Sequence, residues 1–142
     1  MHKFLRFSFI AIIVLIPITL HAQSFDGTWH TKMSCPAKGN TEGYTWEFQS
    51  TITNNTYHGE RGTAGEPGYF ALDGTIGKDG KAKLSGSGIV ASRQYARGVL
   101  AHKGADYSYD VKAEFTATSG TGTRNQGLGI EGRPCTFEFT KQ

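Results

Sequence analysis

Apolar and polar residues alternate one by one along most of the chain beyond residue 24, which is the pattern of β-strands buried on one face. The clearest run spans residues 107–117, where Tyr, Val, Ala and Phe occupy the odd positions and polar or charged residues occupy the even ones. The same period of two predicts strands at 25–35, 43–53, 56–61, 69–76, 81–90, 107–117, 119–124 and 135–140. Residues 92–106 fit either a short helical turn or a strand, around Tyr95 and Val99.

Residues that favour turns separate these segments. Asn54-Asn55 predicts a two-residue turn, because Asn tolerates a positive φ angle. Asp79-Gly80 predicts a hairpin between the strands on either side of it. The Gly-rich segments 62–68 and 125–134 are typical of loops. About eight strands joined in this way make an antiparallel barrel or a sandwich.

Two cysteines help to choose between these folds. Cys35 shares the parity of Trp29, and Cys135 shares the parity of Phe137, so both thiols point toward the buried side. An even number of cysteines favours a disulfide in an oxidising compartment, with two free thiols or a pair of metal ligands as the alternatives. A bond would bring the first and last strands together, as closing a sheet into a barrel does. We therefore predict an all-β fold, a small antiparallel up-and-down barrel of about eight strands with one disulfide, and a sandwich stays the alternative.

The start of the chain has the pattern of a secretory signal peptide. Lys3 and Arg6 precede the apolar run 7–20, which is shorter than the roughly 20 residues of a membrane span. Ala22 supplies a small residue for cleavage. We predict a signal peptide over 1–22 and a single domain over 23–142, with a periplasmic or secreted location and no stable membrane insertion after cleavage. An uncleaved membrane anchor is the alternative.

The composition excludes several classes of fold and function. The chain carries a net charge of +3, but residues 1–22 hold two of the 15 Lys and Arg and none of the 12 Asp and Glu. The remaining chain is close to neutral at +1, so we expect no nucleic-acid binding through bulk positive charge. Its few aliphatic residues exclude a helical bundle, and its 14 Phe, Tyr and Trp residues argue against disorder.

Two resemblances bear on the fold. Gly27-Thr28-Trp29 resembles the Gly-x-Trp start of lipocalin- and avidin-type barrels, which implies a barrel of that shape. In lipocalins this tryptophan packs beneath a late basic residue, a role that the resemblance gives to Arg133 or Arg124.

A longer resemblance covers most of residues 25–139. The segments FDGTW, GERGTAGEPG, LDGTIGKDG, SGTGTR and EGRPCTFEF are similar to a family of small exported bacterial domains of unknown function. This resemblance implies an extracytoplasmic location and one bonded cysteine pair, and it supplies no activity. Residues 125–130 look like an insertion relative to the pattern.

Motifs for catalysis are sparse in the sequence. It has no Gly-x-Ser-x-Gly elbow between a strand and a helix. Beyond the leader, the histidines His30, His58 and His102 form no HxH or HxxxH pair. We therefore expect a protein that is not an enzyme and that uses neither a metal nor a cofactor.

Aromatic and basic residues are the candidates for binding. An eight-stranded barrel has an interior that is either filled or holds one small ligand. Eight rings share the buried parity: Trp29, Trp46, Phe48, Phe70, Tyr109, Phe115, Phe137 and Phe139. Arginines beside the Gly-rich loops would form a basic patch able to bind a carboxylate or phosphate. Four tyrosines lie near predicted strand ends, where they would form an adhesive rim: Tyr57, Tyr69, Tyr95 and Tyr107.

The sequence thus predicts an exported binding module that holds a small apolar or amphipathic ligand in the barrel mouth. The candidate contacts are Trp29, Trp46, Arg61, Tyr69, Arg124 and Arg133. The alternative is a protein-interaction or hydrolase-inhibitor domain, which would act on an envelope protein through loops 61–68 and 125–133.

Overall fold

A computed structural model describes residues 24–98, 102–124 and 132–142. The predicted signal peptide, Val99 and most of the predicted loop 125–134 lie outside the described residues.

Eight antiparallel strands form a closed barrel, in which each strand pairs with its neighbours in sequence and the last pairs with the first. The strands are β1 (Gly27–Cys35), β2 (Tyr44–Thr53), β3 (Thr56–Arg61), β4 (Phe70–Ile76), β5 (Lys81–Ile89), β6 (Asp106–Phe115), β7 (Ser119–Arg124) and β8 (Thr136–Lys141). The predicted up-and-down barrel is therefore confirmed. Between β5 and β6 the ambiguous region contains a 3-10 helix, Arg93–Tyr95. No helix in the described parts of the chain is long and apolar enough to cross a bilayer.

The predicted disulfide is confirmed. Cys35 at the end of β1 is bonded to Cys135, which directly precedes β8, and their Cα atoms lie 4.2 Å apart. β1 and β8 are also hydrogen-bonded along their length, with Thr31 opposite Phe139. The bond indicates an oxidising environment, because reducing compartments keep cysteine thiols in the reduced form.

The two ends of the barrel differ in their connections. At one end, which we call the turn end, short turns join β2 to β3, β4 to β5 and β6 to β7. Asn54 and Asn55 form the first of these turns, with the predicted positive φ angles of 49° and 60°. At the other end, the loop end, longer segments join β1 to β2, β3 to β4, β5 to β6 and β7 to β8.

Packed side chains fill the half of the barrel nearest the turn end. Trp29 is 0% exposed, and its ring meets that of Phe115 edge to face, with centroids 5.6 Å apart. Its indole Nε1 donates a hydrogen bond to the carbonyl oxygen of Phe25, at 2.9 Å. Phe25 is itself buried against Phe115, so the segment before β1 closes this end. The largest fully buried side chains are Trp29, Tyr57, Phe25, Phe70, Phe137, Phe139, Met33, Ile52, Leu72, Ile76, Leu84 and Val111.

The expectation that Tyr57 lies on a rim is wrong. Tyr57 is 0% exposed and points into the barrel from β3, with its ring 5.5 Å from that of Phe139. Its hydroxyl lies 2.7 Å from Oγ1 of Thr31, which in turn lies 2.9 Å from Oγ of Ser50. The hydroxyl of Tyr57 can be buried here because the hydroxyls of Thr31 on β1 and Ser50 on β2 give it hydrogen-bond partners.

The lipocalin resemblance implies that Arg133 or Arg124 packs over Trp29, and neither of them does. Arg133 lies over the ring of Tyr44, and Arg124 lies over the ring of Tyr109. Both arginines belong to the loop end, whereas Trp29 lies on β1 near the turn end. The strand register therefore separates the tryptophan from both of its candidate partners.

Candidate ligand-binding site

A cavity of about 940 Å³ opens at the loop end of the barrel. This volume falls in the range of roughly 300–1,000 Å³ that is common for small-molecule sites. The ends of five strands and the loops at 62–68 and 90–98 surround it. The residues that carry its chemistry are Tyr44, Trp46, Arg61, Glu66, Tyr95, Arg97, Asp106, Tyr107, Tyr109, Arg124 and Arg133.

Strand alternation places aromatic rings on two sides of this cavity. Trp46 on β2 and Tyr109 on β6 both carry the inward parity, and β2 and β6 are four strands apart in a barrel of eight. Phe70 on β4 lies between them and is fully buried, with its ring centroid 5.8 Å from Trp46 and 6.0 Å from Tyr109. Two aromatic walls therefore stand on an aromatic floor.

The β6 wall is flat. The rings of Tyr107 and Tyr109 are nearly parallel, with an interplanar angle of 9°, and both stack against Phe70. Gly86 and Gly88 on β5 leave room for them, since a Cβ added at Gly88 would lie 2.5 Å from the Tyr107 hydroxyl oxygen. The two inward glycines in this strand thus mark a close approach of rings to backbone.

Three arginines cover aromatic rings at the mouth. The guanidinium carbon lies 4.2 Å from the ring of Trp46 for Arg61, and 4.2 Å from the ring of Tyr109 for Arg124. Arg133 lies 5.1 Å from the ring of Tyr44. Such cation–π contacts hold a guanidinium by its face and leave the N–H groups at its edge able to donate hydrogen bonds.

The Arg133 guanidinium donates its hydrogen bonds to backbone carbonyl oxygens of the protein. It donates to the carbonyl oxygens of Pro36, Glu42 and Tyr95, and the residue is 4% exposed. These three acceptors belong to two different loops, at 36–43 and 90–98. Arg133 therefore anchors both loops beside the disulfide, and burial, the largest cause, lowers the pKa of its guanidinium.

The cavity has an excess of positive charge. Its described lining includes Arg61, Arg97, Arg124 and Arg133, against the carboxylates of Glu66 and Asp106. The three ion pairs among the described residues lie elsewhere and involve no arginine: His30–Glu47, His58–Asp73 and Lys83–Asp110. An anionic group would therefore enter a favourable potential.

Three tyrosines of the cavity, Tyr44, Tyr107 and Tyr109, stay protonated at neutral pH. Burial raises the pKa of Tyr44, Tyr107 and Tyr109 above the usual value for a phenol. For Tyr109, the Coulombic effects of Tyr44 and Tyr107 add to that rise. At neutral pH these residues are uncharged aromatic surfaces with a hydroxyl group, and the Tyr109 hydroxyl donates to Sδ of Met33 at 3.3 Å.

The structure brings four of the six predicted ligand contacts together. Trp46, Arg61, Arg124 and Arg133 all line the cavity. Trp29 lies in the packed half of the barrel, and Tyr69 lies away from the cavity, where its hydroxyl donates to Glu60 at 2.9 Å.

Several lining residues were not among the sequence candidates for ligand contact. Tyr44 shares the inward parity of Trp46, so the alternation along β2 could have identified it. Arg97 follows the 3-10 helix, in a region with no clear period, and no pattern in the sequence marks it.

The comparisons add no relative to this description. No protein-family model matches the chain, and neither curated proteins nor solved structures provide a match.

Proposed function

We propose that this protein is an exported, non-enzymatic binding protein that holds one small amphipathic molecule in the loop end of its barrel. The observation that carries the proposal is the cavity of about 940 Å³, with aromatic walls and floor and arginines at its mouth. Aromatic faces bind apolar or planar groups, and guanidinium edges bind polar ones. Such a lining suits a ligand that has both.

The division of the barrel into two halves supports a dedicated site. Around Trp29 and Tyr57 the interior is packed and its buried hydroxyls are paired. Around Trp46 and Tyr109 the rings are half-buried and border open space. The stability of the fold can therefore come from one half while the other stays accessible.

The protonation states of the lining favour binding over proton transfer. The raised pKa values of Tyr44, Tyr107 and Tyr109 keep these hydroxyls protonated at neutral pH. A general acid or base works best when its pKa lies near the working pH. These tyrosines instead supply fixed surfaces and hydrogen-bond donors.

Export is supported by two independent features. The Cys35–Cys135 disulfide fits an oxidising compartment, and residues 1–22 have the sequence pattern of a signal peptide.

Native mass spectrometry of the protein isolated gently from its exported fraction tests the proposal. We expect a population with a bound small molecule, released when the protein is denatured. Trp46→Ala should lose the adduct, because it removes one aromatic wall. Tyr69→Ala is the matched control and should retain it, because Tyr69 lies outside the cavity. A clean unliganded mass, together with capture of an envelope protein through the loop end, would replace this function with the protein-interaction alternative.

A further inference from the structure

We infer that the ligand is an organic anion, whose charged group binds Arg124 and whose apolar or aromatic part lies against the β6 wall of Tyr107 and Tyr109. This inference rests on the proposed function and specifies the chemical class of its ligand. It follows from how differently the arginines of the cavity are used.

Arg133 and Arg61 already donate to the protein. Arg133 donates to three carbonyl oxygens and is almost fully buried. Arg61 donates to the carbonyl oxygen of Gly68, at 3.2 Å. Arg97 donates to that of Lys38. These bonds hold the loops of the mouth in place.

Arg124 differs from these three arginines. Its guanidinium lies over the ring of Tyr109, yet its side chain has no hydrogen bond to any described residue. Its Nε atom, like that of Arg97, is buried and has no partner within the described ranges, but Arg97 donates through its Nη1 atom and Arg124 does not. Its backbone is fixed, because its amide donates to the carbonyl oxygen of Cys135, at 2.9 Å. The cation is therefore held in position, and no acceptor among the described residues takes its side-chain N–H groups.

A partly buried cation without an acceptor is unfavourable, because burial removes water that would otherwise solvate it. A carboxylate, phosphate or sulfonate group offsets this cost, since a guanidinium can donate two parallel hydrogen bonds to two oxygens of such a group. The excess of arginine over carboxylate in the described lining acts in the same direction.

The surroundings of Arg124 favour a ligand with an organic part in addition to its anionic group. Tyr109 and Tyr107 present nearly parallel rings, and Phe70 continues their stack to the floor. A flat ring or an acyl chain attached to the anionic group would cover these faces. The cavity volume of about 940 Å³ accommodates such a molecule, whereas a free anion would leave most of it unfilled.

Two matched fluorescent probes test the charge. 8-Anilinonaphthalene-1-sulfonate carries a sulfonate, and N-phenyl-1-naphthylamine has the same ring system without it. We expect the anionic probe to bind the folded protein more tightly than the neutral one. Arg124→Gln should weaken the anionic probe by about tenfold or more, the usual effect of losing a charged hydrogen bond, and leave the neutral probe within about twofold.

Two further variants keep the measurement specific. Trp46→Ala should weaken both probes, which places them in the cavity. Arg93→Gln should change neither, because Arg93 is exposed on the 3-10 helix and does not line the cavity. Equal thermal unfolding midpoints for Arg124→Gln and the unmodified protein show that the barrel is intact.

Competition with the anionic probe then shows whether the site needs an organic part on the anion as well as its charge. Decanoate should displace the anionic probe, whereas decanol and inorganic phosphate at the same concentration should not. Displacement by phosphate alone would overturn the requirement for an organic part. Equal binding of the two probes, with no effect of Arg124→Gln, would overturn the anion and leave the proposed function standing. Binding of neither probe to the folded protein would overturn both.

Discussion

Arg124 and Arg133 lie at the same end of the barrel, each over a tyrosine ring, yet their surroundings give them different roles. Carbonyl oxygens from two loops accept the hydrogen bonds of Arg133. The guanidinium of Arg124 faces no such acceptor among the described residues. At the scale of single residues, the hydrogen-bond partners rather than the residue type therefore separate a structural cation from a candidate binding cation.

Replacing Arg133 tests its structural role. Arg133→Met should lower the free energy of unfolding by about 1–3 kcal/mol, because it leaves three loop carbonyls without their donor. Arg133→Lys should recover little of this, since an ammonium cannot reach three acceptors in a planar arrangement. The control Arg93→Met should stay within about 0.5 kcal/mol of the unmodified protein. Urea unfolding provides the measurement, and equal losses at both sites would contradict the assignment.

Replacing Tyr57 tests the buried hydroxyl and its titration. Burial raises the pKa of Tyr57 to about 12, so the folded protein keeps a proton that the unfolded chain loses above about pH 10. The stabilisation is complete below pH 10 and falls by about 1.4 kcal/mol per pH unit between pH 10 and 12. Tyr57→Phe should cost about 0.5–1.5 kcal/mol at pH 8, and this cost should be lower by about 1.4 kcal/mol at pH 11. Urea unfolding at both pH values measures it, and a constant difference would refute the shift.

At the scale of elements, the hairpins of the turn end fit their sequences closely. The β4–β5 turn closes with the amide of Gly77 donating to the carbonyl oxygen of Lys81, at 2.8 Å. Asp79 Oδ1 accepts from the amide of Lys81, and Gly80 takes a φ angle of 81°. The carbonyl oxygen of Gly80 also accepts from the amide of Phe115, so this turn is tied to β6.

Gly80 should therefore resist substitution more than a glycine of similar backbone angle. Gly104 has a φ angle of 86° and no atom within 4 Å of an added Cβ, whereas a Cβ at Gly80 would clash with the Phe115 carbonyl oxygen. Gly104→Ala should cost about 1–2 kcal/mol from backbone strain alone. Gly80→Ala should cost clearly more, as measured by thermal or urea unfolding. Equal costs would show that backbone angle alone matters at both sites.

Alternation along the strands predicted which residues face inward, because each strand packs one face on a common interior. It placed Trp29, Trp46 and Phe115 on the same side, and the structure agrees. It could not predict that Trp29 is packed and Trp46 borders a cavity, since depth along the barrel depends on side-chain volumes from all eight strands. The rim expectation for Tyr57 came instead from its nearness to a strand end, whereas the alternation along β3, in which its neighbour His58 is exposed, agrees with the inward position observed.

At the scale of the whole molecule, closure depends on β1 and β8. Their pairing removes the free sheet edges, and the Cys35–Cys135 bond adds a covalent link at the loop end. The two cysteines are 100 positions apart, so the bond constrains nearly all of the described chain when it unfolds.

Removing the disulfide should destabilise the barrel substantially. In the chain-entropy model a loop of this length contributes about 4–5 kcal/mol, and measured losses for native disulfides are about 2–5 kcal/mol. The double variant Cys35→Ala/Cys135→Ala should lower the free energy of unfolding by about 2–5 kcal/mol, measured by urea unfolding. A reducing agent should lower the midpoint of the unmodified protein and leave that of the double variant unchanged. Coincident transitions for oxidised and reduced protein would contradict a stabilising bond.

The unequal ends of the barrel have a consequence for engineering. The turn end closes itself with its own tight connections and the ring of Phe25, and it contributes nothing to the cavity. The non-glycine positions within residues 62–68 can therefore be randomised while the packed half keeps the scaffold folded. Gly62, Gly65 and Gly68 are retained because they have positive φ angles, and Arg133 and the disulfide are retained as well. A library of variants in this one loop would present different binding surfaces on the same barrel.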